Sequence, residues 1–453
     1  MDVDGHKTSV SQLLPHSNGL LSWSSCGRYL AIAKDTRLSI RDADFGMSVV
    51  QVFTCVDMIS SVQWAPHTNG DGTEMQLVLC AMYKRALVQV FSILDPSWQC
   101  KIAEGICGLI GAKWTPDTQH IITISDFRIH ATVWSLVDTS KYVIRQPKLG
   151  NDGFTFSPDG MFLAVAERSE CKDMIGIYNV DTWEMVSHFD VASYDLVEIT
   201  WTMDGRAIFI RDTHLEYRFL LYSPDGTLLQ TYEAYQNALG IKTVSWSPTG
   251  QLVAIGSYDE KVRVLSNLHW KTIAELEHPV TISSTKGQSS PVYINFPQMV
   301  FEEVQKNKNE LVFLPTTLPN NVTVVNPDPL KELPRLGVGS IAWSFDAKIL
   351  ATRNDNMPRN IWLWKTETME LHAIIVLTKP VKSFRWSPNQ NTLAFSSANN
   401  RVCLWSDSGI TWIEVADAAF SILGLRWHPK NGNHLIAMSK SDFCCLQFST
   451  QIN

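Results

Sequence analysis

Between Val244 and Leu265 the chain reads VSWSPTGQLVAIGSYDEKVRVL. Apolar residues gather in three short runs, Val244-Ser245-Trp246, Leu252 to Gly256 and the alternating Val262-Arg263-Val264. Polar steps separate them, Ser247-Pro248-Thr249-Gly250 and Ser257-Tyr258-Asp259-Glu260. Short β-branched runs bounded by Gly, Pro, Asp and Ser predict antiparallel strands joined by tight turns. A further run, Trp270 to Leu276, completes a meander of four strands.

The unit recurs. An aromatic followed by a turn is found at Trp23, Trp64, Trp114, Phe156, Trp201, Trp246, Trp343, Trp386 and Trp427, at spacings of 41 to 50 residues apart from one gap of 97. That period is close to the ~40–45 residues of WD-type propeller blades, each of which buries its faces only against its neighbours. The long gap is either a degenerate blade or an insertion. Residues 280–335 contain ISSTKGQSSP, FEEVQKNKNE and NPDPLKELP, and their apolar runs Leu311 to Leu314 and Val322 to Val325 have no anchor or turn, so they read as an irregular insertion. HTNGDGTE at 67–74 reads as a flexible loop in the first turn of the second unit. The last unit has only three strands of its own, around Trp427, Ile436 and Cys444. The apolar run Ser9 to Leu14 is the natural fourth, which would cover an edge otherwise open to other chains. The expectation is an all-β, WD40-type β-propeller over 9–448, a single closed ring of about nine four-stranded blades, with 1–8 disordered and 449–453 a tail. Nine exceeds the usual four to eight blades, and two unequal smaller rings are the alternative.

Composition narrows the function. The net charge is −7, with no run of five like charges, so the basic stripe that duplex nucleic acid requires is missing. Nine cysteines, an odd number without C-x-x-C spacing, suit reduced thiols in a cytosolic protein rather than a disulfide framework. The N-terminus MDVDGHKTSVSQ has no apolar signal core and no 18-residue apolar run exists, so a soluble intracellular protein without membrane association is expected. There is no Walker loop, G-x-S-x-G, H-E-x-x-H or G-x-G-x-x-G after a strand. His130, His188, His269, His278 and His428 lie singly in or beside strands, where a hydrogen-bonded structural role fits better than metal ligation. No catalytic, cofactor-binding or metal-binding residue is expected, and the chain does not read as an enzyme.

Binding is the remaining class. In a four-stranded antiparallel meander, the turn between strands two and three emerges on the same face as the link from strand four to the next blade, and the insertion is expected there too. The second turns hold concentrated charge: Lys84 and Arg85 after Tyr83, Arg168 and Lys172 around Ser169-Glu170-Cys171, and Arg353, Asn354 and Asp355 with Arg359. Taken singly, these are turn formers with solvated charges. Together they are candidates for a mixed-charge rim that receives an acidic or helical partner. The anchor tryptophans read as inter-blade core, and Trp98, Trp183, Trp270 and Trp412 as half-buried cover of the outer strands.

Longer blocks carry a resemblance. LCAMYKRALVQVFS (79–92), AERSECKDMIGIY (166–178), DTHLEYRFLLYSPDGTLLQTYEAYQNALGIKTVSWSP (212–248), GSYDEKVRVL (256–265) and LATRNDNMPRNIWLW (350–364) are similar to a family of WD-repeat proteins of centriolar satellites and spindle poles, whose namesake is encoded antisense to a tumour-suppressor-family gene. The resemblance covers roughly 20–450 and fades across the insertion. It implies a non-catalytic scaffold at the centrosome or spindle pole body. Its partner would be a coiled-coil microtubule-anchoring protein, joined in some lineages by a minus-end-directed kinesin, and its roles spindle organisation and ciliogenesis. A ubiquitin-ligase substrate receptor and a translation-associated propeller are the alternatives. The usual W-D-x-R of the former is missing, since Trp134, Trp364 and Trp405 precede Ser, Lys and Ser.

Overall fold

A computed structural model describes residues 8–43, 46–66, 76–282, 299–307, 310–316, 320–328, 330–331 and 333–448. The His67–Glu74 loop, residues 1–7, residues 283–298 of the expected insertion and the 449–453 tail lie outside them. The chain is all-β, with four single-turn 3-10 helices among the described residues. It forms nine WD-type blades, each a four-stranded antiparallel meander, and divides into two compact units.

One unit, 14–213 with 218–234, holds blades 1 to 5. Blade 4 shows the pattern at its longest: strands Phe154–Phe156, Phe162–Ser169, Lys172–Asn179 and Met185–Asp190. The innermost strands of neighbouring blades stack side by side, and the core lies in the seams. Ala31, Leu38 and Ile40 of blade 1 meet Val78, Cys80 and Phe91 of blade 2, and Ala164, Ile175 and Ile177 of blade 4 meet Ile199, Ile208 and Leu220 of blade 5. Each aliphatic side chain taken fully from water contributes about 1.5–3 kcal/mol.

The other unit, 1–13, 214–217 and 235–453, holds blades 6 to 9. Its last sheet is completed by Thr8–Val10, which pairs antiparallel with Asp442–Phe448, Ser9 opposite Gln447. The N-terminal strand therefore closes the final blade as the sequence suggested, and Thr8, assigned by sequence to the disordered end, opens that strand.

The anchor aromatics do more than fill space. Trp64 Nε1 donates to the Ser22 carbonyl at 2.7 Å, Trp114 to Gln63, Trp386 to Ala342 and Trp427 to Arg385. Each acceptor is the residue before the preceding blade's own anchor, so the indole fastens one inner strand to the next. Gly337, in the left-handed region at φ +80°, precedes blade 7's first strand. A Cβ there would collide with the Ser257 and Tyr258 backbone of blade 6, so only glycine allows the approach.

The segment 280–335 differs from the irregular insertion expected. Met299–Asn307 and Glu310–Pro315 form a hairpin whose first strand pairs in parallel with Glu370–Val376, the outer strand of blade 7, extending that sheet to six strands. Val300 and Phe301 are buried against the blade, and Phe313 meets Phe395 edge-on. Glu303, also buried, accepts from Thr378 N and Oγ1 at 2.9 and 2.7 Å. The hairpin thus covers an outer edge of the blade rather than joining the turns of a face. The open edge of an apolar strand (ELHAIIV) is the partner that saturates the hairpin's backbone.

Candidate functional site

On the five-blade unit, second turns and inter-blade links converge on one face, as the strand order requires. Arg85 of blade 2 holds Asp57 of the preceding link at 3.0 Å. The Met58 N–H and the Arg85 guanidinium keep the Asp57 carboxyl below its ordinary range. Lys84 beside it is exposed.

Blade 4 has the longest central strands. Its two central strands are eight residues each, and their turn, Glu170-Cys171, has both residues at positive φ (50° and 64°), the geometry that matches strand twist in a two-residue hairpin. At its base Lys148 lies between Asp173 at 2.8 Å and Asp195 at 2.6 Å, and Arg168 Nη1 reaches Asp195 at 3.1 Å. Asp173 also accepts from Leu196 N and Ser193 Oγ. The Lys148 hydrogen bond, followed by the charges of Lys148 and Arg168, holds Asp195 low. The network pins the link to blade 5 through Asp195 and Leu196. Among the described residues Lys172 pairs only with Asp190, at a long 3.8 Å and with both side chains exposed.

The residues that sequence reading missed are apolar. In the second turn of blade 3, Phe127 is 86% exposed with φ +56°, and Arg128 follows at φ +56°. A bulky L-residue in the left-handed region costs roughly 1–2 kcal/mol, and the ring recovers nothing by burial here. Phe127, Arg128 and Ile129 border an open groove of about 630 Å³ whose other wall is Lys148, Arg168, Asp195 and Val197. Met58, Ile106 and Tyr194 are exposed on other links of the same unit. A phenylalanine inside the polar turn SDFRIH was the available signal. Large apolar contacts ringed by positioned charges form an arrangement suited to gripping a protein segment.

The four other predicted rim residues belong to the four-blade unit, and the structure gives them mainly structural work. Asn354 is fully buried and donates to Glu260 at 3.0 Å. That removes it from any rim, because its side chain is enclosed and its amide N–H braces blade 7 against blade 6. Asp355 receives Lys242 at 2.7 Å and Arg353 at 3.2 Å, and Arg353 also donates to the Val381 carbonyl. Arg359 is exposed.

The polar constellations elsewhere are blade supports. His278 Nε2 and Trp364 Nε1 both meet Thr352 Oγ1, at 2.8 and 2.9 Å, while His278 Nδ1 meets the Glu260 carbonyl. Burial lowers the imidazole pKa to about 4, so it is neutral. Blade 4 uses Glu167 instead, bonded to Tyr178 at 2.7 Å and His188 at 3.1 Å. Burial raises Glu167 despite both bonds. In blade 6 Leu265 stands at the place of Trp364, and Arg263, two residues earlier, pairs with Asp259 at 2.8 Å and lies over the Tyr217 and Tyr235 rings. Trp183 and Trp270, expected as cover of outer strands, occupy instead the turns before those strands, at φ +57° and +53°. Among the described residues no cluster of His, Cys, Asp or Glu could hold a metal ion, and no helix is long and apolar enough to cross a membrane.

Comparison with known proteins agrees with this architecture. The family described as "WD domain, G-beta repeat" matches residues 222–266 and 366–406. The mouse WD repeat-containing protein WRAP73 is 39% identical over 98% of this chain and 96% of its own length. An uncharacterised WD repeat-containing protein of Schizosaccharomyces pombe is 20% identical, covering 82% of this chain and 75% of the relative. Among solved structures, the C-terminal WD40 domain of Sif2 superposes with a TM-score of 0.53 at 10% identity, over 97% of this chain and 99% of that domain, a likeness of fold alone.

Proposed function

This chain belongs to the WRAP73 family of WD-repeat proteins, and we propose that it is a non-catalytic scaffold of centrosomes or spindle poles whose five-blade unit captures a coiled-coil microtubule-anchoring protein on its second-turn face. The observation that carries the binding role is Phe127, held exposed in an unfavourable backbone conformation at the lip of a charged groove. Strained, exposed aromatics persist where the surrounding structure enforces them for use. The location and the coiled-coil partner, with a minus-end-directed kinesin as a further member, rest on the sequence blocks quoted above and on the near full-length match to the mouse relative. A coiled-coil helix offers aliphatic residues for Phe127, Ile129 and the groove, and charged flanking positions for Lys84, Arg128, Arg168 and Lys172. The chain's contribution would be a rigid surface that concentrates partners, without a chemical step.

The test is affinity purification of the tagged chain from dividing cells, comparing wild type with Phe127→Glu and with Lys84→Glu/Lys172→Glu. Recovery of a coiled-coil spindle-pole protein by wild type and its loss in Phe127→Glu are the expected results. Ligase subunits or ribosomal factors in its place would refute the spindle-pole reading, and undiminished capture by both folded variants would refute the face. Arg353→Glu is unsuitable as a probe, because it breaks the Asp355 and Val381 contacts as well.

A further inference from the structure

A second groove lies in the same unit on the opposite end of the blades, where first and third turns emerge. Its volume is about 660 Å³, within the ~300–1,000 Å³ of pockets that enclose a ligand. Three turns of one type converge on it: Ser157-Pro158-Asp159-Gly160, Thr202-Met203-Asp204-Gly205 and Ser223-Pro224-Asp225-Gly226. Each ends on a glycine at positive φ (75°, 71° and 92°). Each turn fixes its carboxylate locally: Met161 N donates to Asp159, Thr202 Oγ1 to Asp204 and Thr227 N to Asp225. None of the three has a cationic partner among the described residues, and no Lys or Arg lines the groove.

The floor is apolar. It consists of Phe162, Ile177 and Trp201, with Val186 and Met203 standing 60% and 56% exposed at the lip. The seam beneath also departs from the bond that Trp64, Trp114, Trp343, Trp386 and Trp427 make. Trp201 is 6% exposed, and its indole Nε1 is buried without a hydrogen-bond partner. Thr155, which by position would offer its carbonyl, instead meets the Trp201 backbone N–H through its hydroxyl at 3.1 Å. The blade 4 to blade 5 seam therefore lacks the bond that fastens those five seams, at the place where the groove opens.

We infer that this groove is a second docking site, and that its occupant is a partner segment carrying an aliphatic or aromatic anchor flanked by Lys or Arg. The apolar floor supplies the burial. The three fixed aspartates supply charge complementarity, which selects basic over acidic segments and speeds their encounter. The site is independent of the second-turn face, so the unit grips two segments at once, one at each end of its blades.

The experiment is fluorescence anisotropy on the full chain with two labelled 14-residue probes, an amphipathic Leu/Lys peptide and the same peptide with Glu for every Lys. The variant Asp159→Asn/Asp204→Asn/Asp225→Asn keeps an oxygen for each turn while removing the charge, and Val186→Ser/Met203→Ser strips the lip. The expected result is binding of the Leu/Lys probe that weakens about tenfold in the neutral variant, as three partly exposed pairs allow, and that weakens in the wild type on raising salt. The lip variant should lose binding, and Phe127→Glu should retain it. The wild type alone already decides between probes if a variant folds poorly. Equal affinity for both peptides, or Leu/Lys binding untouched by both variants, overturns the inference. So does sedimentation showing a self-association that the lip variant abolishes, since the occupant would then be a second copy.

Discussion

The indole Nε1 of Trp343 donates to the carbonyl of Ser245 at 3.0 Å, joining residues 98 positions apart. The same bond in other seams spans 42 to 51 positions. Blade 7 therefore fastens to blade 6 as an ordinary neighbour, and the long intervening segment is extra to the repeat.

The bond can be weighed against ring packing. Trp343→Phe keeps an aromatic ring but leaves a half-buried carbonyl without its donor, and should cost about 1–3 kcal/mol. Trp343→Ala should cost about 3–5 kcal/mol through the cavity it leaves. Trp201→Phe, which forfeits no hydrogen bond, should cost less than Trp343→Phe. Urea midpoints of the three variants provide the comparison, and an equal loss for both Phe variants would mean the bonds contribute nothing.

Acidification should weaken the fold through His278. Its folded pKa is about 4 against an ordinary 6.5 because burial disfavours the cation. Between those values the unfolded chain takes up a proton that the folded chain refuses. The stability is thus complete above pH 6.5 and is lost as pH falls toward 4, by up to about 3 kcal/mol. His278→Gln should lower stability at pH 7 yet show a smaller drop between pH 7 and 4.5, measured by denaturation at both. A parallel drop in wild type and variant would assign the pH dependence elsewhere.

Phe127 offers a trade between stability and capture. Phe127→Asn puts a residue tolerant of positive φ into the turn and should raise stability by about 0.5–1 kcal/mol. Its recovery of the coiled-coil partner should fall. Thermal melting alongside the purification described above tests both halves, and a less stable variant would show that the exposed ring is structurally required.

The hairpin predicts a local dependence. Phe301 is buried among Ile361, Leu363 and Ile375 of blade 7, so Phe301→Ala should cost about 3–5 kcal/mol. It should also speed hydrogen exchange along Glu370–Val376, whose outer edge the hairpin protects. Unchanged exchange there would show that the edge needs no cover.

How much of this was legible beforehand follows from the range of each interaction. The blades were readable because each is built from contacts within some forty residues, and Trp, turn and alternating strand recur in a fixed order. The pairing of Ser9 with Gln447 was inferable for a related reason: a last blade short of one strand leaves an edge, and a single spare apolar run existed to fill it. A structural, hydrogen-bonded role for His278 was readable from its place beside a strand, though not its union with Thr352 and Trp364.

Other features were decided only by the tertiary structure. Met299–Asn307 reads as polar and irregular because an added edge strand needs little apolar patterning, and its partner, Glu370–Val376, lies some seventy residues on in parallel register. Charge density in the second turns pointed to a binding rim, but whether a charge faces outward depends on what packs beside it. Asn354 turns inward to Glu260, while Lys84 remains open. Grooves are farther still from the sequence, since each forms where side chains of separate blades fail to meet. The sequence by itself determined the repeating unit and its number, because those are local. The tertiary structure alone decided which surfaces stay unfilled, because that depends on packing between residues the sequence keeps apart.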